Sequence, residues 1–113
     1  MAIATTTMKN ALCTAYSNQG ALLSVHTGDP GTTGANEISG GSPAYARQQT
    51  SWGTASNGQI AGLQVTFNLP AGQYTYVGLW TNNGSTFLDK IAISSTTLGA
   101  QGTLLVTPTF TTT

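Results

Sequence analysis

The chain has 113 residues, a length for one domain, and its three Lys and Arg balance three Asp and Glu for a net charge of zero. Charged side chains are 5% of the residues, against about a quarter in ordinary soluble proteins, which argues against a nucleic-acid binder or an anionic-membrane binder. So little charge suits a subunit packed in an assembly, because free copies lack the repulsion that keeps proteins apart.

The predicted elements run as follows. Ala2–Thr7 reads as an extended, Thr-rich arm (residues 1–7), with Ile3 and Thr5 as strand-forming positions. Thr7 is placed to cap a helix over Met8–Asn18, whose Met8, Leu12, Ala15 and Tyr16 share one face, and Gly20 is placed to end it. Ala21–His26 is an apolar strand interrupted by Ser24. A long loop follows, then a weakly alternating strand over Ala44–Thr50, continued by Ser51–Ala55 after a bend at Gly53. Ser56-Asn57-Gly58 is a hairpin signal. Gln59–Leu69 carries Leu63, Val65, Phe67 and Leu69 at period two. Pro70-Ala71-Gly72 turns the chain into Gln73–Thr81, which presents Tyr74, Tyr76, Gly78 and Trp80 on one face and Thr75, Val77 and Leu79 on the other. Asn82-Asn83-Gly84 turns it again into Thr86–Ser94. Thr103–Thr111 closes the domain, with Pro108 marking an edge or a bulge and a Thr-rich tail over residues 109–113. The expected fold is all-β, an antiparallel sandwich or compact barrel with one short N-terminal helix, forming a single domain over 1–113. No apolar stretch is long enough for a transmembrane helix, and no secretory signal is expected in the first residues.

Residues 26–48 stand out. Four of the chain's seven Asp, Glu, Lys, Arg and His side chains lie there, namely His26, Asp29, Glu37 and Arg47, with five glycines and two prolines. Gly permits positive φ and Pro fixes φ, so this is a loop with a specified path, anchored by Ile38 and Tyr45 and by a Glu37–Arg47 pair. His26 and Asp29 are an acid–base pair on one reading. On the other, His26 hydrogen-bonds loop backbone while Asp29-Pro30-Gly31 makes a turn, and this second reading is preferred. The oxygens of Asp29, Asn36, Glu37 and Asp89 match no calcium-loop spacing. Cys13, the only cysteine, lies on the apolar side of the helix as a small buried hydrophobe. Trp52, Tyr74, Tyr76 and Trp80 are core or interface residues ahead of a sugar platform. One His, one Cys and three carboxylates supply no nucleophile–base–orienter set, so no enzyme, metal or cofactor is expected.

The string "HTGDPGTTGANEISGGSPAYARQ", flanked by a short apolar strand and a Trp-Gly strand, resembles a family of small tailed-bacteriophage virion proteins. Its members are labelled capsid decoration (minor capsid), head-fibre, minor tail or tail-fibre proteins. The resemblance covers about Leu22–Trp52 at motif level, and it implies a non-enzymatic β module on the virion surface, assembled in the host cytoplasm. The leading expectation is a decoration or minor capsid protein that docks on the major capsid protein as a homo-oligomer, a trimer ahead of other states. A tail-fibre or minor tail protein, partnered by tail proteins or a host surface glycan, comes second, and a carbohydrate-binding module third. His26, Asp29, Glu37, Tyr45 and Arg47 form the expected subunit-contact loop. Ile3, Thr5, Thr109, Phe110 and Thr111 are expected to add strands to a neighbour's sheet edge.

Overall fold

A computed structural model describes residues 3–112. Thr5, in extended geometry, accepts a hydrogen bond on its hydroxyl from the Met8 amide and starts α1 (Thr6–Gln19). The strands are β1 (Leu22–His26), β2 (Gln48–Gln49), β3 (Gln59–Ala61), β4 (Val65–Leu69), β5 (Gly72–Trp80), β6 (Phe87–Leu98), β7 (Gly102–Val106) and β8 (Thr109–Thr111). They form a four-stranded sheet ordered β2-β1-β5-β6 and two ribbons, β3–β8 and β4–β7, all antiparallel. The all-β expectation with one N-terminal helix holds.

The two faces of the four-stranded sheet are covered by different things. Leu23 and Val25 of β1 and Val77 and Leu79 of β5 pack against Val65, Phe67 and Leu69 of the β4–β7 ribbon, which makes the main core. The opposite face carries Ser24, His26 and Trp80, and the 27–47 segment lies over it: a Cβ on Gly34 would sit 2.5 Å from the Trp80 ring. Leu23, Ser24, Val25 and His26 are therefore all buried, which is why β1 lacks the alternation of a half-exposed strand.

Four expectations need correction. The N-terminal arm is not an extended strand over Ala2–Thr7, because the Thr5 cap commits Thr6 and Thr7 to the helix; Ile3 lies outside any strand, and Met1 and Ala2, like Thr113, fall outside the described residues. The helix does not bury Met8 and Leu12, which are exposed. It packs through Asn10, Cys13 and Tyr16, where the Asn10 side-chain oxygen Oδ1 accepts from the Gly58 amide and Tyr16 stacks on Phe110 with ring centroids 3.9 Å apart. The Gln59–Leu69 strand is split. Thr50 donates its hydroxyl to the Leu63 carbonyl, Gly62 is wedged against Thr50 and Pro108, and Leu63 is thrown outward to 68% exposure. The Thr103–Thr111 strand breaks at Pro108. Its last part, Thr109–Thr111, pairs with β3 of the same chain with Phe110 opposite Ile60, so Thr109, Phe110 and Thr111 add their strand within the chain.

The period-two reading of β5 also fails at one point. Thr75 faces three residues of β6, Ile93–Ser95, because the register moves from Tyr74↔Thr96 to Tyr76↔Ala92. Across this bulge Tyr74 joins Val77 and Leu79 in the core, leaving Gly78 and Trp80 on the other face.

Candidate functional site

The site is the long loop and the sheet face beneath it. Past Leu23, β1 has no strand partner on its outer edge, and the loop supplies one. The Ile38 amide donates to the Val25 carbonyl, the Val25 amide donates to the Tyr45 hydroxyl, and His26 bridges to Glu37. The loop closes on itself through Thr27 N to Asn36 O and through Gly34 N and Ala35 N to Pro30 O. Asn36, at φ 62, donates its side-chain amide to the Asp29 carbonyl.

Glu37 is the hub. Arg47 meets its carboxylate through Nε at 2.8 Å and Nη2 at 2.7 Å, and Tyr45 donates its hydroxyl at 2.8 Å. The Arg47 guanidinium lies 3.8 Å from the Trp80 ring centre and gives its remaining nitrogen to the Gly84 carbonyl at 3.1 Å. One side chain thus ties the loop, the end of β5 and the β5–β6 turn together. Burial works against the charge on Glu37, yet the hydrogen bonds from Arg47 and Tyr45 outweigh it and hold the carboxyl below its ordinary range. Burial, reinforced by that carboxylate, pushes the Tyr45 hydroxyl up.

Below the clamp runs a buried polar chain. Trp80 Nε1 donates to Ser24 Oγ at 2.8 Å, Ser24 Oγ lies 2.6 Å from His26 Nε2, and His26 Nδ1 lies 2.8 Å from the Ala35 carbonyl. A carbonyl only accepts, so Nδ1 carries the proton and Nε2 accepts from the Ser24 hydroxyl. His26 is neutral, and burial holds its pKa below the ordinary value. The Ser–His spacing is that of a nucleophile and its base. Both residues are wholly buried, however, and the serine oxygen already receives the Trp80 donor, so no substrate carbonyl reaches it. The preferred reading of His26, a strand end bonded to loop backbone, is the observed one.

The other candidates are dispersed. Asp29 accepts the Gly31 amide in an Asx turn and pairs with Lys90 at the surface, which lowers the Asp29 pKa. Asp89 accepts from the Tyr16 hydroxyl at 2.7 Å. Among the described residues no three His, Cys, Asp or Glu side chains gather as a metal site, and no helix is long and apolar enough to cross a membrane. Of the five contact-loop residues, His26, Glu37, Tyr45 and Arg47 turn inward, and only Asp29 is exposed. The four aromatics form no single platform: Tyr74 is in the core, Trp80 lies under Arg47, Tyr76 is beside Lys90, and Trp52 sits edge-on to Tyr16. Trp52, Tyr16 and Phe110, with Asp89, Ile91 and Ile93, line an open cleft of about 500 Å³ between β6 and the β7–β8 segment.

A family model described as the Podophage GP4 fiber I protein gp80 matches residues 2–110. The chain belongs to that family. It is a phage structural protein of the fibre type, and the match runs from ahead of the helix through the loop and into β8. No curated protein and no solved structure matches it.

Within this gp80-family chain, sequence reasoning found the Glu37–Arg47 pair and missed Ser24, Trp80 and Gly34 as their supports. Ser24 and His26, two apart in an otherwise apolar strand, share one face by strand periodicity, and this spacing was the available signal.

Proposed function

We propose that this chain is a non-enzymatic subunit of a virion fibre, assembled with copies of itself and with tail proteins. The observation that carries the reading is the family match over residues 2–110. The shape fits it, since the molecule measures 46 × 24 × 23 Å and is twice as long as it is wide. The arrangement of the polar groups fits it too: the buried network locks a loop in place and keeps Ser24 and His26 away from solvent. This reading puts the fibre ahead of head decoration, reversing the order expected from the sequence. The outward side of the loop, exposed at Gly31–Thr33 and at Ser39–Ser42, is the surface available to neighbouring subunits.

Electron microscopy of virions labelled with an antibody fragment against this chain tests the reading. Label along tail-proximal fibres is the expected result. Label spread over the capsid faces would overturn it in favour of decoration.

A further inference from the structure

We propose that Ser24, His26 and Trp80 form a proton-operated latch, in which uptake of one proton by His26 releases the 27–37 loop from the sheet while the rest of the fold stays closed. The inference does not depend on where the subunit sits in the virion.

The argument is a count of donors and acceptors. With His26 neutral, each hydrogen has one taker: Trp80 Nε1–H to Ser24 Oγ, Ser24 Oγ–H to His26 Nε2, and His26 Nδ1–H to the Ala35 carbonyl. A proton on Nε2 makes a second N–H donor, which the serine oxygen can accept beside that of Trp80, but it takes away the only acceptor of the serine hydrogen and leaves that buried donor unpaired. Ser24 and His26 are wholly buried and Trp80 is 8% exposed, so water cannot take up the displaced bond while the loop is closed. Nor is there room to rearrange: a Cβ on Gly78 would already lie 2.5 Å from Ser24 Oγ and 2.8 Å from His26 Nε2. The cluster is therefore satisfied in one protonation state only.

Burial outweighs what the surrounding charges offer the imidazolium. Glu37, across the bridge from His26, attracts it, but its oxygens are already held by Arg47 and Tyr45 and it gives the cluster no new acceptor. Arg47 opposes the added charge. Tyr76, paired with His26 on β5, offers a neutral ring. Lys90, on the same face, carries a further positive charge that is matched by Asp29 from the loop. Opening breaks the Nδ1 bond to Ala35, the Ile38 amide bond to the Val25 carbonyl and the surface Lys90–Asp29 pair, and it pivots at Glu37, which Arg47 and Tyr45 still hold. The β4–β7 layer lies on the other face of the sheet and is untouched.

The chain carries its own reporter and its own control. It has two tryptophans and one histidine. The Trp80 indole N–H belongs to the latch, whereas the Trp52 indole N–H bonds to the Gly20 carbonyl outside it. The ratio of their exchange rates, read by NMR from pH 7.5 to pH 4.5, cancels the intrinsic chemistry. The expected result is a ratio that rises by up to tenfold per pH unit below about 6.5, the slope of one proton, to at most about 100-fold at pH 4.5. The Ile38 amide should follow Trp80. In His26→Gln, which keeps a donor and an acceptor but takes up no proton, the ratio should stay flat. A flat ratio in the wild type overturns the proposal. So does a slope that survives in His26→Gln, or one that disappears in Glu37→Gln instead, which would assign the opening to the ion pair. The wild-type imidazole signal gives a check free of variants: if His26 becomes protonated while the Trp80 indole stays protected, the latch does not exist.

Discussion

Replacing Arg47 with Met removes the charge and keeps much of the stem. Glu37 would lose both of its charge-assisted donors and retain the Tyr45 hydroxyl, Gly84 would lose a donor to its carbonyl, and Trp80 would lose the cation on its face. The Arg47 and Glu37 side chains are 27% and 18% exposed, so the pair lies between two regimes. Exposed pairs contribute up to about 1 kcal/mol, breaking a fully buried pair costs about 3–5 kcal/mol, and a stacked guanidinium adds about 1 kcal/mol. We expect a destabilisation of about 2–3 kcal/mol, which for a domain of this size lowers the thermal midpoint by about 8–12 °C. Calorimetry measures it, with Lys90→Met as the control, since the Lys90–Asp29 pair sits at the open surface and its loss should leave the midpoint where it is. A double-mutant cycle with Glu37→Gln isolates the pair itself. Equal midpoints for Arg47→Met and Lys90→Met would refute the reasoning. So would a wild-type advantage that vanishes in about 1 M NaCl, where the Debye length is about 3 Å, because a sheltered bidentate pair is weakly screened.

Three further outcomes are expected. Phe67→Ala, at a wholly buried position of the main core, should cost about 3–5 kcal/mol by denaturant titration. Gly34→Ala should cost more than about 2 kcal/mol, because φ is +80° and the new methyl group would enter the Trp80 ring; tryptophan fluorescence should report the displaced indole. Glu37 has a folded pKa below its ordinary 4.5, so its contribution is present above pH 4.5 and is lost as pH falls through the folded value. Acid unfolding of Glu37→Gln should therefore show a shallower slope below pH 4.5 than the wild type, and an equal slope would show that the carboxylate contributes nothing.

What the sequence revealed depended on how local the signal was. The loop's path was legible because Gly and Pro write backbone geometry directly, and the Glu37–Arg47 pair was legible because charges are scarce in this chain. The strand order was not, since period two gives a face but no partner. Nothing around Gln59–Leu69 announces that Thr50 and Pro108 will break the strand at Gly62. The helix misled because Met8 and Leu12 are its most apolar residues, whereas its docking is carried by an Asn amide, a thiol and a stacked tyrosine. Ser24 and Trp80 escaped because the burial of Ser24 is decided by a loop that folds back from more than ten residues away.

The Ile93–Ser95 bulge interrupts the open rim of the four-stranded sheet. β6 is a twelve-residue strand on the rim of the sheet, and after Lys90 it carries no charge to turn another strand away. A straight rim of this kind recruits copies edge to edge. With three residues humped opposite Thr75, the rim never offers one unbroken ladder. In a chain with almost no charge, this irregularity stands where other sheets place charged residues along an open edge.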